Sequence, residues 1–245
     1  MHLFDELSSP VIIAHRGASK YAPENSYASF ETALRQGAIA FELDTMLTSD
    51  NVPVVIHDRE LERTTNGSGL VGDTHSDDLK NLDAGCWFSD EYKGEKIPFL
   101  KDVLIRYQKN VLIIIELKNL HSSRDQLPEI VTEMVRELKM IDNVILSSFI
   151  PRNLKRARKQ SSEIKTALIC SSGLLGRFCS SRFLVPVSPE FLHPNKELIN
   201  EEFIKRESEW QRRINAWTVD DKEEARKLIK FGIAGLITND PKILE

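Results

Sequence analysis

Four short stretches of this 245-residue chain carry residue types whose spacing suits chemistry. Glu42 and Asp44 are separated by one residue, as are Glu116 and Lys118. His15-Arg16 follows one apolar run, and His57-Asp58 closes another. Side chains on a β-strand alternate between faces, so each i, i+2 pair points the same way. Two carboxylates on one face repel, and each raises the other's pKa unless a cation lies between them. Glu42, Asp44 and Glu116 together offer three hard oxygen ligands, which suit Mg²⁺ or Ca²⁺ rather than zinc. A cation so held can bind a nonbridging phosphate oxygen and neutralise developing charge. His15 and His57 titrate near neutral pH and can act as acid and base. Arg16 can grip a phosphate with its planar fork, and Lys118 as a point charge.

Each residue alone has a plainer explanation. A single histidine at a strand end is more often a hydrogen-bonded core residue, and a Glu-x-Asp pair is often a solvated face. The flanks decide between the readings. Residues 39–41 and 113–115 are apolar, so these acids sit in segments bound for the interior. An unpaired carboxylate there is costly. Two such pairs and two histidines at four strand ends make coincidence a poor account.

The elements that must position these groups alternate between short β-rich runs and helical patterns, which predicts βα units and a parallel sheet. Strands are expected at residues 11–14, 40–47, 53–57, 111–117, 144–148, 166–170, 190–193, 214–219 and 235–238. Helices are expected at 25–36, 100–107, 124–138, 152–159, 201–212 and 221–231. A turn at Ser49-Asp50-Asn51 joins the second and third runs, so they form a hairpin and leave eight parallel strands. The expected fold is a TIM-like (β/α)8 barrel, α/β in class, as a single domain over 1–245. Its catalytic face lies at the C-terminal strand ends. The absence of a GxGxxG or P-loop turn agrees with a closed barrel over an open doubly wound sheet. Residues 58–97 are polar and Gly-rich, with one short helix candidate at 76–82. A stretch this long is not a passive loop, and it predicts an inserted cap subdomain after the His57 strand. Residues 171–188 stay ambiguous, because glycines and serines interrupt Leu174, Leu175, Phe178, Phe183 and Leu184.

Residues 14–58, AHRGASKYAPENSYASFETALRQGAIAFELDTMLTSDNVPVVIHD, resemble the signature region of glycerophosphodiester phosphodiesterases of the cytoplasmic bacterial type. The His-Arg-Gly, Pro-Glu-Asn, Glu-x-Asp and His-Asp elements stand in that family's order and spacing. IELK at 115–118, AWTVDD at 216–221 and GLITNDP at 235–241 look like its later motifs. The resemblance implies a barrel with a small insertion, and hydrolysis of glycerophosphodiesters to glycerol 3-phosphate and an alcohol with a divalent cation. It implies His15 and His57 as the acid/base pair, Glu42, Asp44 and Glu116 as metal ligands, and Arg16 and Lys118 as phosphate contacts. It adds Glu24 and Asn25 near the metal or the histidines. It also adds Trp217 as a wall of the glycerol pocket, a residue that otherwise reads as core. Two routes stay open: direct in-line attack by water, or a cyclic phosphate formed by the glycerol 2-hydroxyl.

Composition narrows the rest. A net charge of −4 without a long basic stretch disfavours a nucleic-acid partner. The N-terminus has no basic region before an apolar core, and no apolar run could span a bilayer, so a cytoplasmic protein without a stable membrane anchor is expected. Cys86, Cys170 and Cys179 show no metal spacing and read as free thiols, with a Cys170–Cys179 disulfide possible. His2, His75, His121 and His193 read as surface or structural. The basic run 152–159 reads as a solvated helix face. Oligomeric state and the head-group alcohol are not readable. Two rival functions remain: a lysophospholipase D-like enzyme, whose acyl chain would need an apolar lip from Leu174, Leu175, Phe178, Phe183 and Leu184, and an inactive phosphodiester-binding barrel.

Overall fold

The structure, a computed structural model, describes residues 2–7, 10–108, 111–122, 124–179, 181–188 and 190–245. Among these, nine strands form one sheet: β1 (Val11–His15), β2 (Ala40–Leu47), β3 (Pro53–Val55), β4 (Leu112–Leu117), β5 (Val144–Ser148), β6 (Lys165–Cys170), β7 (Phe191–Pro194), β8 (Arg213–Ala216) and β9 (Gly235–Thr238). Their order is β1-β9-β8-β7-β6-β5-β4-β2-β3, and β1 also pairs with β2. That extra pairing closes eight parallel strands into a barrel. β3 stands apart as an antiparallel hairpin arm on the end of β2, with Met46 opposite Val54.

The helices are α1 (Tyr27–Arg35), α2 (Ser76–Leu79), α3 (Leu100–Arg106), α4 (Leu127–Glu137), α5 (Pro151–Gln160), α6 (Gly173–Cys179), α7 (Glu201–Glu209) and α8 (Lys222–Lys230). The ambiguous stretch 171–188 resolves into α6 and a 3-10 turn over Arg182–Val187. Several boundaries move inward from the pattern for local reasons. α1 starts at Tyr27 because Ser26 caps it, its Oγ accepting from Ser29 N at 3.1 Å. α4 starts at Leu127, whose N–H donates to Asp125 at 3.0 Å. α7 stops at Glu209 because Gln211 takes a positive φ of 58° and turns Arg212 inward onto Glu207. Both of those side chains are fully buried and paired at 2.5 Å. β8 ends at Ala216, three residues early, and beyond it Trp217 keeps one parallel bridge to Asn195.

Strand alternation separates two cores. Outward residues such as Phe41, Leu43, Ile113 and Ile115 pack on the helices. Inward residues low in the barrel are apolar: Val11, Ile13, Ala40, Leu112, Ile114, Ile145, Ala167, Phe191 and Ile237 form one cluster. Phe4 joins that cluster from a 3-10 turn over Leu3–Asp5, meeting Phe191 edge to face at 4.8 Å. Phe4 therefore plugs the floor of the barrel.

Residues 58–97 run from β3 to α3 with only α2 and two 3-10 turns. They are not slack. Leu61, Val71, Leu79 and Ile97 bury themselves with Val54 and Ile56 in a small core of their own. The three cysteines are free. Exposed Arg152, Lys155 and Lys159 agree with a solvated face on α5. Two other α5 cations are paired, Arg156 with Glu129 at 2.6 Å and Arg158 with Glu190 at 2.9 Å. Among the described residues, no helix is long and apolar enough to cross a membrane.

Two tests follow from the plug. Phe4→Ala empties the barrel floor and should cost about 3 kcal/mol in denaturant unfolding. His2 is buried, accepts from Phe4 N at Nδ1 and donates from Nε2 to the Val144 carbonyl at 3.2 Å. Burial lowers its pKa, Lys165 adds to that, and the Val144 carbonyl, Asp5 and Asp142 oppose it. A histidine with a depressed folded pKa contributes stability that is present above its ordinary value of 6.5 and lost as pH falls below it. The fall in Tm between pH 7 and pH 5 should therefore shrink in His2→Gln, and an unchanged slope would refute the assignment.

Candidate active site

The upper inward positions of the barrel are polar where the lower ones are apolar. β2 turns Glu42 and Asp44 inward, and β4 turns Glu116 inward beside Asp44 in register. All three are buried, and one oxygen of each lies within 4.8 Å of the others. Two cations meet this group. Arg16 Nε lies 3.1 Å from Asp44 Oδ2, and Lys118 Nζ lies 3.3 Å from Glu116 and 3.8 Å from Asp44. Three carboxylates against two cations leave net negative charge in the interior. Burial raises the Glu42 pKa well above the carboxylate range, with Asp44 and Glu116 adding to it. Burial, then Asp44, lifts Glu116 to about 7. Burial also opposes charge on Asp44, but Arg16, Lys118 and a hydrogen bond from Asn25 outweigh it and lower its pKa. Asp44 Oδ1 has no hydrogen-bond partner among the described residues. The donor set is all oxygen, over-negative and partly unsatisfied, which fits a hard divalent cation.

The loop after β1 brings Arg16 and Asn25 to this group through backbone that few residues adopt. Arg16, Gly17 and Asn25 have φ of 57°, 80° and 57°. Asn25 N donates to the Arg16 carbonyl at 3.0 Å. Asn25 Nδ2 donates to Asp44 at 2.8 Å, and Asp44 N donates back to Asn25 Oδ1 at 3.2 Å. Arg16 N donates to Glu42 at 3.1 Å. A Cβ on Gly17 would lie 2.6 Å from the Ser29 backbone, so only glycine lets α1 pack this close.

The two histidines are held on different sides. His15 Nδ1 donates to Asn239 Oδ1 at 2.7 Å. Asn239 is itself fixed by Asp220, which accepts from Asn239 Nδ2 at 2.5 Å and from its backbone N at 2.8 Å. Burial, then Arg16, lowers the His15 pKa to about 4. The ring is neutral with Nε2 as its basic atom. His57 Nδ1 donates to Asp58 at 2.5 Å, and its Nε2 accepts from Lys118 Nζ at 2.9 Å. Burial lowers its pKa although Asp44 and Asp58 favour its charged form. Arg63 ties Asp58 to Glu24, donating to the two Glu24 oxygens at 2.9 and 2.8 Å. Glu24 accepts in turn from Arg16 at 2.8 Å.

A cavity of about 290 Å³ joins nearly all of these groups, being lined by His15, Arg16, Glu42, His57, Glu116, Lys118 and, opposite, Trp217. A second cavity of about 600 Å³ shares His57 and Lys118 with it and extends toward residues 58–73. Glu24 and Asn25 stand behind the first cavity and reach it through Arg16 and Asp44. The sequence reading missed Asn239, Asp220 and Arg63, and it left Asp58 without a role. Asn239 follows β9 directly, so the strand-end rule that selected His15 also points to it. Arg63 lies in an irregular stretch and carries no such signal. His193, read as surface or structural, is buried and lines the cavity.

The fold and this site define a phosphodiesterase barrel, and comparison with known proteins bears that out. The sequence model of the glycerophosphoryl diester phosphodiesterase family matches residues 15–243. The chain belongs to that family. A glycerophosphodiester phosphodiesterase of Caldanaerobacter subterraneus is 36% identical over 235 residues, covering 96% of each chain. An Oleispira antarctica phosphodiesterase, solved with the product sn-glycerol-3-phosphate, is 30% identical with a TM-score of 0.86, over 99% of this chain and 98% of its own. A glycerophosphodiester phosphodiesterase of Agrobacterium tumefaciens gives 29% and 0.82, over 95% and 97%.

Gly17→Ala tests how tightly the site depends on its loop. Positive φ and the clash with Ser29 together should cost about 2–4 kcal/mol. A variant as stable as the wild type would show that the Arg16 turn has slack.

Proposed function

We propose that this phosphoric diester hydrolase cleaves glycerophosphodiesters to glycerol 3-phosphate and an alcohol, using a divalent cation, Mg²⁺ or Ca²⁺, held by Glu42, Asp44 and Glu116. The observation that carries the reading is the cavity in which His15, His57, Arg16, Lys118, Glu42 and Glu116 converge, with Asp44 beside the two glutamates. When bound, the cation supplies charge neutralisation at a phosphate oxygen. Arg16 and Lys118, which contact the carboxylates at its edge, bind the remaining phosphate oxygens. His15, neutral and with Nε2 unprotonated, takes the proton of the attacking hydroxyl as general base. Asn239 keeps that tautomer by accepting from Nδ1. His57 is the general acid: it takes up a proton on Nε2, a charged form that Asp44 and Asp58 favour against burial, Arg16 and Lys118, and passes it to the leaving oxygen as the P–O bond breaks. Trp217 walls the glycerol side. In this reading the chain is one catalytic domain, and residues 58–97 are a cap that lends Asp58 and Arg63 to the site.

The lysophospholipase reading gains one observation and lacks another. Leu174, Phe178 and Phe183 are 83%, 61% and 87% exposed, as an acyl lip requires. None of them lines either cavity beside the histidines. The Leu175 side chain lies outside the described residues. The inactive-barrel reading leaves an over-negative buried cluster without a purpose.

Purified enzyme given glycerophosphocholine should release glycerol 3-phosphate and choline. EDTA should abolish release and Mg²⁺ or Ca²⁺ restore it. His15→Ala should lower kcat at least about a hundredfold with the fold intact. Choline phosphate as product, or turnover indifferent to EDTA, would overturn the reading.

A further inference from the structure

The groups assigned above occupy one side of the cavity, and the opposite wall holds a polar pair with no task yet. His193 ends the inward row of β7, in register with Ile169 of β6, and is 2% exposed. It lines the cavity with Trp217, Phe149 and Ser147. Asn215 Nδ2 donates to its Nε2 at 3.0 Å. Burial lowers its pKa to about 3, so the ring is neutral and its one proton sits on Nδ1. Among the described residues no group accepts from that Nδ1. Trp217 is held beside the ring, because Trp217 Nε1 donates to the His193 backbone carbonyl at 2.8 Å. Trp217 in turn meets Phe149 edge to face at 5.6 Å. Ser147 on β5 is 1% exposed and makes no side-chain hydrogen bond among the described residues.

A donor buried in a neutral ring, oriented by Asn215 and left without an acceptor among the described residues, is a binding group waiting for a ligand atom. Its environment selects the ligand. The adjoining Trp217 and Phe149 rings suit a small carbon skeleton, and a neutral imidazole suits a hydroxyl rather than an anion. The phosphate side of the cavity already has Arg16 and Lys118.

We propose that His193 is a specificity residue: its Nδ1 donates to a free hydroxyl of the substrate's glycerol arm, with Ser147 as the neighbouring partner. The proposal rests on the phosphodiesterase reading above. It assigns recognition of the arm to β5 and β7, and the chemistry to β1, β2, β4 and the loop after β3.

The test compares kcat and KM on three substrates in the metal-loaded enzyme: glycerophosphocholine, the ethylene glycol analogue that lacks one hydroxyl, and bis(p-nitrophenyl) phosphate, which has no polyol arm. Wild type should prefer glycerophosphocholine to the analogue. His193→Phe should raise KM for glycerophosphocholine roughly tenfold, the loss of one buried hydrogen bond. It should erase the preference over the analogue and change bis(p-nitrophenyl) phosphate turnover by much less than tenfold. His193→Gln, which keeps a donor, should recover part of the KM and serves if the Phe variant does not fold. Equal losses on all three substrates would make His193 a packing residue and overturn the proposal, as would an unchanged preference. Wild type that cleaves bis(p-nitrophenyl) phosphate but no glycerophosphodiester would instead remove the functional reading, and the proposal with it.

Discussion

Three carboxylates share a desolvated barrel mouth with too few cations to satisfy them, and most of the surrounding architecture follows from that constraint. A buried carboxylate without a partner is costly, and three together are worse because each raises the others. The chain answers with groups drawn from distant points in sequence. Asn25 and Arg16 come from the loop after β1, and Lys118 comes from the same strand end as Glu116. Behind them stands a further ring: Glu24 holds Arg16, Arg63 holds Glu24 and Asp58, and Asp58 holds His57. Arg16 and Asn25 adopt left-handed backbone to take part. Such strain persists where the surroundings over-determine it, and functional sites are where it collects.

Much of this was legible in the sequence, because a parallel barrel turns a one-dimensional rule into a place. Alternation on β2 and β4 put Glu42, Asp44 and Glu116 on the inner face, and apolar flanks said that this face is interior. The hairpin reading of the second and third runs was also sound, since the turn at Asp50-Asn51 leaves no room for a crossover helix. What escaped was set by tertiary contact. Trp217 reads as core, but from just beyond β8 its indole Nε1 donates to the His193 carbonyl and its ring lines the cavity. The last turn predicted for α7 yields to the burial of Arg212 against Glu207, a pair whose desolvation no helical pattern reports. The role of Asp58 depends on Arg63, five residues on in irregular backbone, and that partnership has no periodicity to betray it. The family resemblance, by contrast, named Glu24, Asn25 and Trp217 where pattern alone did not.

The barrel also explains how stability and chemistry coexist in one interior. The lower inward layer is apolar and sealed by Phe4, so it loses nothing to the charge above it. The upper layer is polar around its circumference, with His15, Glu42, Asp44, Glu116, Ser147 and His193 on five strands. A mutation in the floor acts on folding, whereas one in the mouth acts on a network whose members are mutually dependent. Neutral histidines on opposite walls make the same point differently. His15 and His193 are both kept uncharged by burial, yet an asparagine fixes each ring in the opposite sense. Asn239 accepts from Nδ1 of His15 and leaves Nε2 basic; Asn215 donates to Nε2 of His193 and leaves Nδ1 acidic. One residue type thereby becomes a proton acceptor on one wall and a hydrogen-bond donor on the other. The difference lies in the amide beside each ring, not in the ring.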